Sequence, residues 1–132
     1  MLNVKKMMAV FAVLMLALGL SACKNTPIQN YEAQPVPSNI KSAEQVQKAI
    51  KLAGSSLGWV MSDEGSNKIK GVITLRSHQA EVSIPYSAKD YSIIYRSSSN
   101  LKYDSTANTI HNNYNGWVQN LNRSIQAQLG AM

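Results

Sequence analysis

Two histidines, seven carboxylates and a single cysteine bound the chemistry open to this chain of 132 residues. Paired catalytic carboxylates need environments that push their pKa values apart. Asp63 and Glu64 fall in a turn by composition, Glu81 on an outer sheet face, and Asp90 and Asp104 at loop edges, so no pair converges. A zinc site needs several His, Cys or carboxylate ligands together. His78 and His111 are placed apart, at a hairpin tip and beside the last helix, and no metal or cofactor is expected. Ser97, His111 and Asp104 assemble a triad on paper, but the strained Gly-x-Ser-x-Gly turn that exposes a serine nucleophile is absent. The expectation is a non-enzyme, with a small hydrolase using His111 and Asp104 as the alternative.

Binding chemistry is denser. Tyr95, Asn100, Tyr103, Asp104, His111, Asn113, Tyr114, Asn115 and Trp117 crowd one third of the chain. Aromatic faces with amide and hydroxyl groups suit glycan or extended-peptide recognition, since each ring offers apolar area with a polar handle. Tyr103, Asp104, His111, Asn113 and Asn115 are the candidate binding residues there. The competing account is structural: Tyr114 and Trp117 fall on a helix stripe, and the asparagines suit caps and turns. Arg76 and His78 at a hairpin tip are a second candidate surface. Open strand edges, which a partner can extend by strand addition, are a third.

The cysteine has a distinct setting. Lys5 and Lys6 precede an unbroken apolar run, Met7 to Leu20, and Ser21-Ala22 then lead to Cys23. A basic head, ~7–15 apolar residues and small residues make a secretory signal peptide, and the run is shorter than the ~20 residues of a membrane span. Leu20-Ser21-Ala22-Cys23 resembles the bacterial lipobox. That resemblance implies cleavage after residue 22, acylation of Cys23 by fatty chains such as palmitate, and membrane anchoring through that lipid. Several acyl chains, at ~0.8 kcal/mol per buried methylene, hold a domain stably. Lys24 stands where an inner-membrane retention signal places Asp, which implies the outer membrane and its periplasmic face.

With Cys23 acylated no thiol is left to form a disulfide, so stability rests on packing. Loss of Lys5 and Lys6 leaves 11 basic and seven acidic residues, a charge of about +4. That excess suits anionic lipid or cell-wall polymer and is also ordinary for a solvated surface. The basic residues do not cluster, and the address is extracytoplasmic, so nucleic acid is not an expected partner. Residues 23–41 carry Pro27, Pro35 and Pro37 among polar residues, which predicts an extended tether reaching ~50 Å.

The folded domain is expected over 42–132. Ser42-Ala43-Glu44-Gln45 is a capping box, and Val46, Ala49, Ile50, Ala53 and Leu57 form a helical stripe ending at Gly58. Trp59-Val60-Met61 reads as a strand. Ile69, Gly71, Ile73 and Leu75, then Ala80, Val82, Ile84 and Tyr86, alternate with polar residues, predicting a hairpin about Ser77-His78 that sets Leu75 opposite Ala80 and Ile73 opposite Val82. Tyr91, Ile93 and Tyr95 give a fourth strand, ended by Ser97-Ser98-Ser99-Asn100. Tyr114, Val118, Leu121, Ile125 and Leu129 mark a last helix capped at Asn112 or Asn113. The predicted fold is α+β: an antiparallel four-stranded meander with an N-terminal and a C-terminal helix packed on one face, in the order α-β-β-β-β-α.

Arg76-Ser77-His78-x-Ala80-x-Val82-x-Ile84-x-Tyr86 with Tyr91-Ser92-Ile93-x-Tyr95 resembles part of a family of small bacterial outer-membrane lipoproteins. Asn100-Leu101-x-Tyr103-Asp104 and Ile110-His111-x-x-Tyr114-Asn115-x-Trp117-Val118 continue the resemblance, which covers roughly Gly58 to Ile125. It implies fold and address and carries no activity. The expectation is thus a lipid-anchored interaction module that binds an envelope protein or a cell-wall component such as peptidoglycan. A small envelope hydrolase or an inhibitor of a cell-wall enzyme is the alternative.

Overall fold

The computed structural model describes residues 25–132; the signal segment, Cys23 and Lys24 lie outside the described residues. The strands are β1 (Thr26–Pro27), β2 (Tyr31–Pro35), β3 (Trp59–Asp63), β4 (Lys68–Leu75), β5 (His78–Pro85), β6 (Asp90–Ser99) and β7 (Thr109–Ile110); the helices are α1 (Ala43–Ser56) and α2 (Asn112–Gly130). The fold is α+β. β3 to β6 are consecutive antiparallel neighbours, but the sheet has five strands, not four, in the order β2-β6-β5-β4-β3, and β1 with β7 makes a separate two-stranded sheet.

The extra strands overturn the expected tether. Thr26 and Pro27 pair with Ile110 and Thr109, Tyr31–Pro35 pairs with β6, and Ile40 is buried in the core. The segment lacks apolar alternation because distant polar groups hold it. Asn30 Oδ1 accepts from the Tyr95 amide (2.9 Å), the Ala33 amide donates to Ser92 Oγ (3.0 Å), and the Val36 amide donates to Lys89 O (2.9 Å). Prolines at its ends are tolerated because an edge strand lacks a ladder on one side.

α1 starts as expected. The Gln45 amide donates to Ser42 Oγ (3.3 Å) while Gln45 Oε1 accepts from the Ser42 amide (3.2 Å), satisfying two otherwise free donors and contributing about 1 kcal/mol. Val46, Ala49, Ile50 and Ala53 face the core. Gly54 has a packing reason: a Cβ there would lie 2.2 Å from Met61 Cε, and one on Gly71 would lie 3.0 Å from Met61 Sδ. The Met61 side chain is thus wedged between α1 and β4. Its thioether fills a gap that two absent side chains leave.

The β4–β5 hairpin differs from expectation by two residues. Leu75 pairs with His78, Ile73 with Ala80, Gly71 with Val82 and Ile69 with Ile84, so Arg76-Ser77 is the turn. Arg76 takes φ 57°. A shift of two preserves the inward set, because strand side chains alternate with period 2. β6 also runs on through the serines to Ser99. It carries one extra residue, Arg96, between the pairs Val82–Tyr95 and Glu81–Ser97. Such a bulge adds local twist.

Both helices lie on one face. Their buried residues join Ile69, Ile73, Val82, Ile84, Tyr91 and Ile93 in one core. At its centre the Tyr91 hydroxyl donates to Asn122 Oδ1 (2.5 Å) and accepts from Gln126 Nε2 (2.8 Å), while Asn122 Nδ2 reaches Gln34 Oε1 (3.3 Å). This network ties β6, α2 and β2 together. Burial pushes the Tyr91 pKa up to about 12, partly offset by the bond from Gln126.

Candidate functional site

Strand directions place most of the expected binding residues at one end of the domain. β4 ends and β5 begins there, β6 ends beside them, and α1 delivers the chain through Leu57 to the start of β3. β1, β7 and the start of α2 close the same end.

Here Asp104 is a turn residue. Its Oδ1 accepts from the amides of Thr106 (2.9 Å) and Ala107 (3.1 Å), and its backbone pairs with Thr109 across the turn. His111, rather than Asn112 or Asn113, caps α2. Its Nδ1 accepts from the Asn113 amide (3.1 Å), which puts the ring proton on Nε2. Asp104 and His111 are each engaged with the local backbone, and no hydrogen bond joins them among the described residues. Ser97 lies on β6 opposite Glu81. Among the described residues, no hydrogen bond assembles the paper triad.

Asn115 is a tie. Its Nδ2 donates to Thr26 Oγ1 (3.0 Å) and Pro27 O (2.8 Å), and its Oδ1 accepts from the Gln29 amide (3.0 Å), locking the N-terminal segment to α2. Asn113 is exposed and caps nothing. Tyr103 leaves 43% of its surface in solvent. It lies on Tyr95 with ring centroids 4.7 Å apart, and Tyr95 meets Tyr114 edge-on at 5.4 Å. Tyr95 donates to or accepts from Ser98 Oγ (2.8 Å). The Tyr114 hydroxyl is buried with no partner, and burial followed by the nearby Tyr95 raises its pKa. The cluster grades from the buried Tyr114 ring through the half-buried Tyr95 to the exposed Tyr103 resting on it.

His78 is bound differently from His111. Its Nδ1 lies 2.7 Å from Asn100 O, so that nitrogen carries the proton and donates. Asn100 Nδ2 donates in turn to Ser77 Oγ (2.8 Å), fastening the hairpin turn to the end of β6. Arg76 extends from the turn into solvent. The structure thus brings Arg76 and His78 to the same end as Tyr103, Asp104, His111 and Asn115.

No group of three or more His, Cys, Asp or Glu residues able to hold a metal ion occurs among the described residues. No helix there is long and apolar enough to cross a membrane.

The third expected surface is a strand edge, and the two edges of the sheet are unlike. β3 pairs with β4 in unbroken register from Trp59 to Asp63, and among the described residues no strand lies on its other side. Val60, on the outer face, is 70% exposed. Asp63 at the end of β3 is fixed by Lys51 Nζ (2.8 Å) and Gln47 Nε2 (2.8 Å) of α1; those bonds, Lys51 first, hold its carboxyl below the usual 3.8. Glu64 is likewise lowered by the Arg96 guanidinium, 2.6 Å away. Arg96 is the bulge residue of β6, and it also approaches Glu81 at 3.7 Å. Trp59-Val60-Met61 marked the strand in the sequence, but its edge position follows only from the order of the others.

No family model, curated protein or solved structure matches this chain.

Proposed function

We propose that this chain is a lipid-anchored, non-enzymatic interaction module on the periplasmic face of a bacterial outer membrane. It captures an extended segment of an envelope protein by adding it to β3. The open, regular edge of β3 carries this reading. A strand edge presents unpaired amides and carbonyls, and exposed side chains on the outer face supply selectivity. Val60 at 70% exposure, with the half-buried Val72 opposite it on β4, gives an incoming strand apolar contact. The lipobox supports the anchor. The engagement of His111 and Asp104 in a cap and a turn weighs against the hydrolase reading.

The test is photo-crosslinking in intact cells, with a photoreactive residue at Val60 and a control at Glu32 on the opposite edge. A discrete protein adduct at Val60 and none at Glu32 is expected. Equal adducts at both positions, or none at Val60, would remove β3 as the binding edge.

A further inference from the structure

We infer that the end of the domain carrying β1, β7 and the β4–β5 turn docks directly on an anionic bilayer surface. The inference rests on the reading of Cys23 as the lipidated residue. Three residue steps separate Cys23 from Thr26, where β1 is already paired with Ile110. At no more than ~3.6 Å per step, that link spans about 11 Å. A domain of this size has a radius of gyration near ~13 Å, so such a link cannot lift it clear of the headgroups. The end holding Thr26 must face the membrane.

That end is built for the contact. Leu57, Leu75 and Tyr103 all reach it and are 40%, 50% and 43% exposed. Arg76 sits in the turn, and Lys102 lies where Asn25 Nδ2 donates to its carbonyl (2.6 Å). Of the carboxylates, only Asp104 is there, with Oδ1 occupied by two backbone amides. Basic residues near an anionic surface are attracted within about a Debye length, and apolar and aromatic side chains beside them enter the headgroup boundary. The opposite end, where β3 ends and β4 and β6 begin, holds Asp63, Glu64 and Asp90 with a lysine for each: Lys51 and Lys68 in ion pairs with the first two, and Lys89 beside the third. The exposed apolar side chains beside Arg76 and Lys102 therefore orient the domain in the same sense as the short link, while the far end is balanced in charge.

The test is hydrogen exchange on the full-length mature protein in vesicles of phosphatidylethanolamine and phosphatidylglycerol, against the same protein in neutral detergent. Intact mass is read on the same sample. The expected result is acylated Cys23 with severalfold slower exchange in vesicles at residues 57–58, 75–78 and 101–108, and no change at 63–68 or 86–90. The double variant R76E/K102E, altered only at exposed positions, should lose that protection while keeping its acyl mass. Acylated protein with equal exchange at both ends, or with protection at 63–68, overturns the docking. Unmodified Cys23 overturns the anchor reading and the docking with it, and the mass alone distinguishes that failure.

Discussion

β2 and β3 are the two edges of one sheet, and they are finished in opposite ways. β2 is irregular: its register with β6 shifts between Tyr31 and Gln34, Ala33 sits at φ 46°, and Pro35 ends it. The Tyr91–Asn122–Gln34 bonds then fasten it to α2. β3 is regular over five residues, contains no proline, and shows Val60 to solvent. Bulges and prolines are the usual means of closing an edge to further pairing. Their presence on one edge and absence on the other makes β3 the edge at which the sheet can be extended.

Removing the clamp should break the contrast most severely. Tyr91→Ala takes a fully buried ring from the core together with its two hydrogen bonds, and a loss of about 4 kcal/mol is expected. Urea titration followed by circular dichroism gives the size. Hydrogen exchange should show Tyr31–Pro35 opening before β3; simultaneous opening would mean the network does not hold β2. A smaller effect of opposite sign is expected from Ala33→Gly. Relief of a left-handed alanine outweighs the added freedom of the unfolded chain, for a gain of roughly 0.5–1 kcal/mol in the same titration. A loss would show that Ala33 is not strained.

At the β3 edge the expected effects are smaller. Asp63 and Glu64 have folded pKa values below their unfolded ones, so their contribution is complete above the ordinary 3.8 and 4.5. It is lost as pH falls through the depressed folded values. The urea midpoint should therefore drop as pH falls below about 4, and Asp63→Asn should flatten part of that decline by lowering the neutral midpoint toward the acid one. Least disturbed of all should be Val60→Lys. At so exposed a position the stability change is at most about 0.5 kcal/mol, yet a lysine on the edge discourages pairing. Loss of the in-cell adduct from a probe at the neighbouring exposed Ser62, with an unchanged melting curve, is the expected outcome.

The elements whose apolar residues recur at a fixed period were legible in the sequence. The capping box at Ser42, the stripe through Ala53, the alternation in β4 and β5, and the α2 stripe all stand where the pattern puts them. The hairpin register was not, because sliding by two residues leaves Ile69, Ile73, Val82 and Ile84 facing inward in both arrangements. Only the turn distinguishes them, and Arg76 is a poor advertisement for a left-handed position. β2 was illegible for another reason. Asn30, Ala33 and Gln34 are held by residues 59 to 88 positions away, and no local pattern encodes partners so distant. The same holds for the expected binding residues. Asp104, His111 and Asn115 are of the types that bind, but their hydrogen bonds are spent on a turn, a cap and a tie, leaving Arg76, Tyr103 and Asn113 as the exposed members.

The pairing of β1 with β7 also sets an order of assembly. Joining Thr26 to Ile110 closes a loop of 84 residues, at an entropic cost of roughly 4 kcal/mol unless the intervening chain is already compact. The first residues of the domain to be made therefore have nowhere to dock until β6 and β7, late in the chain, are in place. Folding must begin with the neighbouring hairpins of β3 to β6, whose contacts are local and fast, and end with the N-terminal strands closing over them. The segment nearest the chain's start acts as the final fastener of the fold.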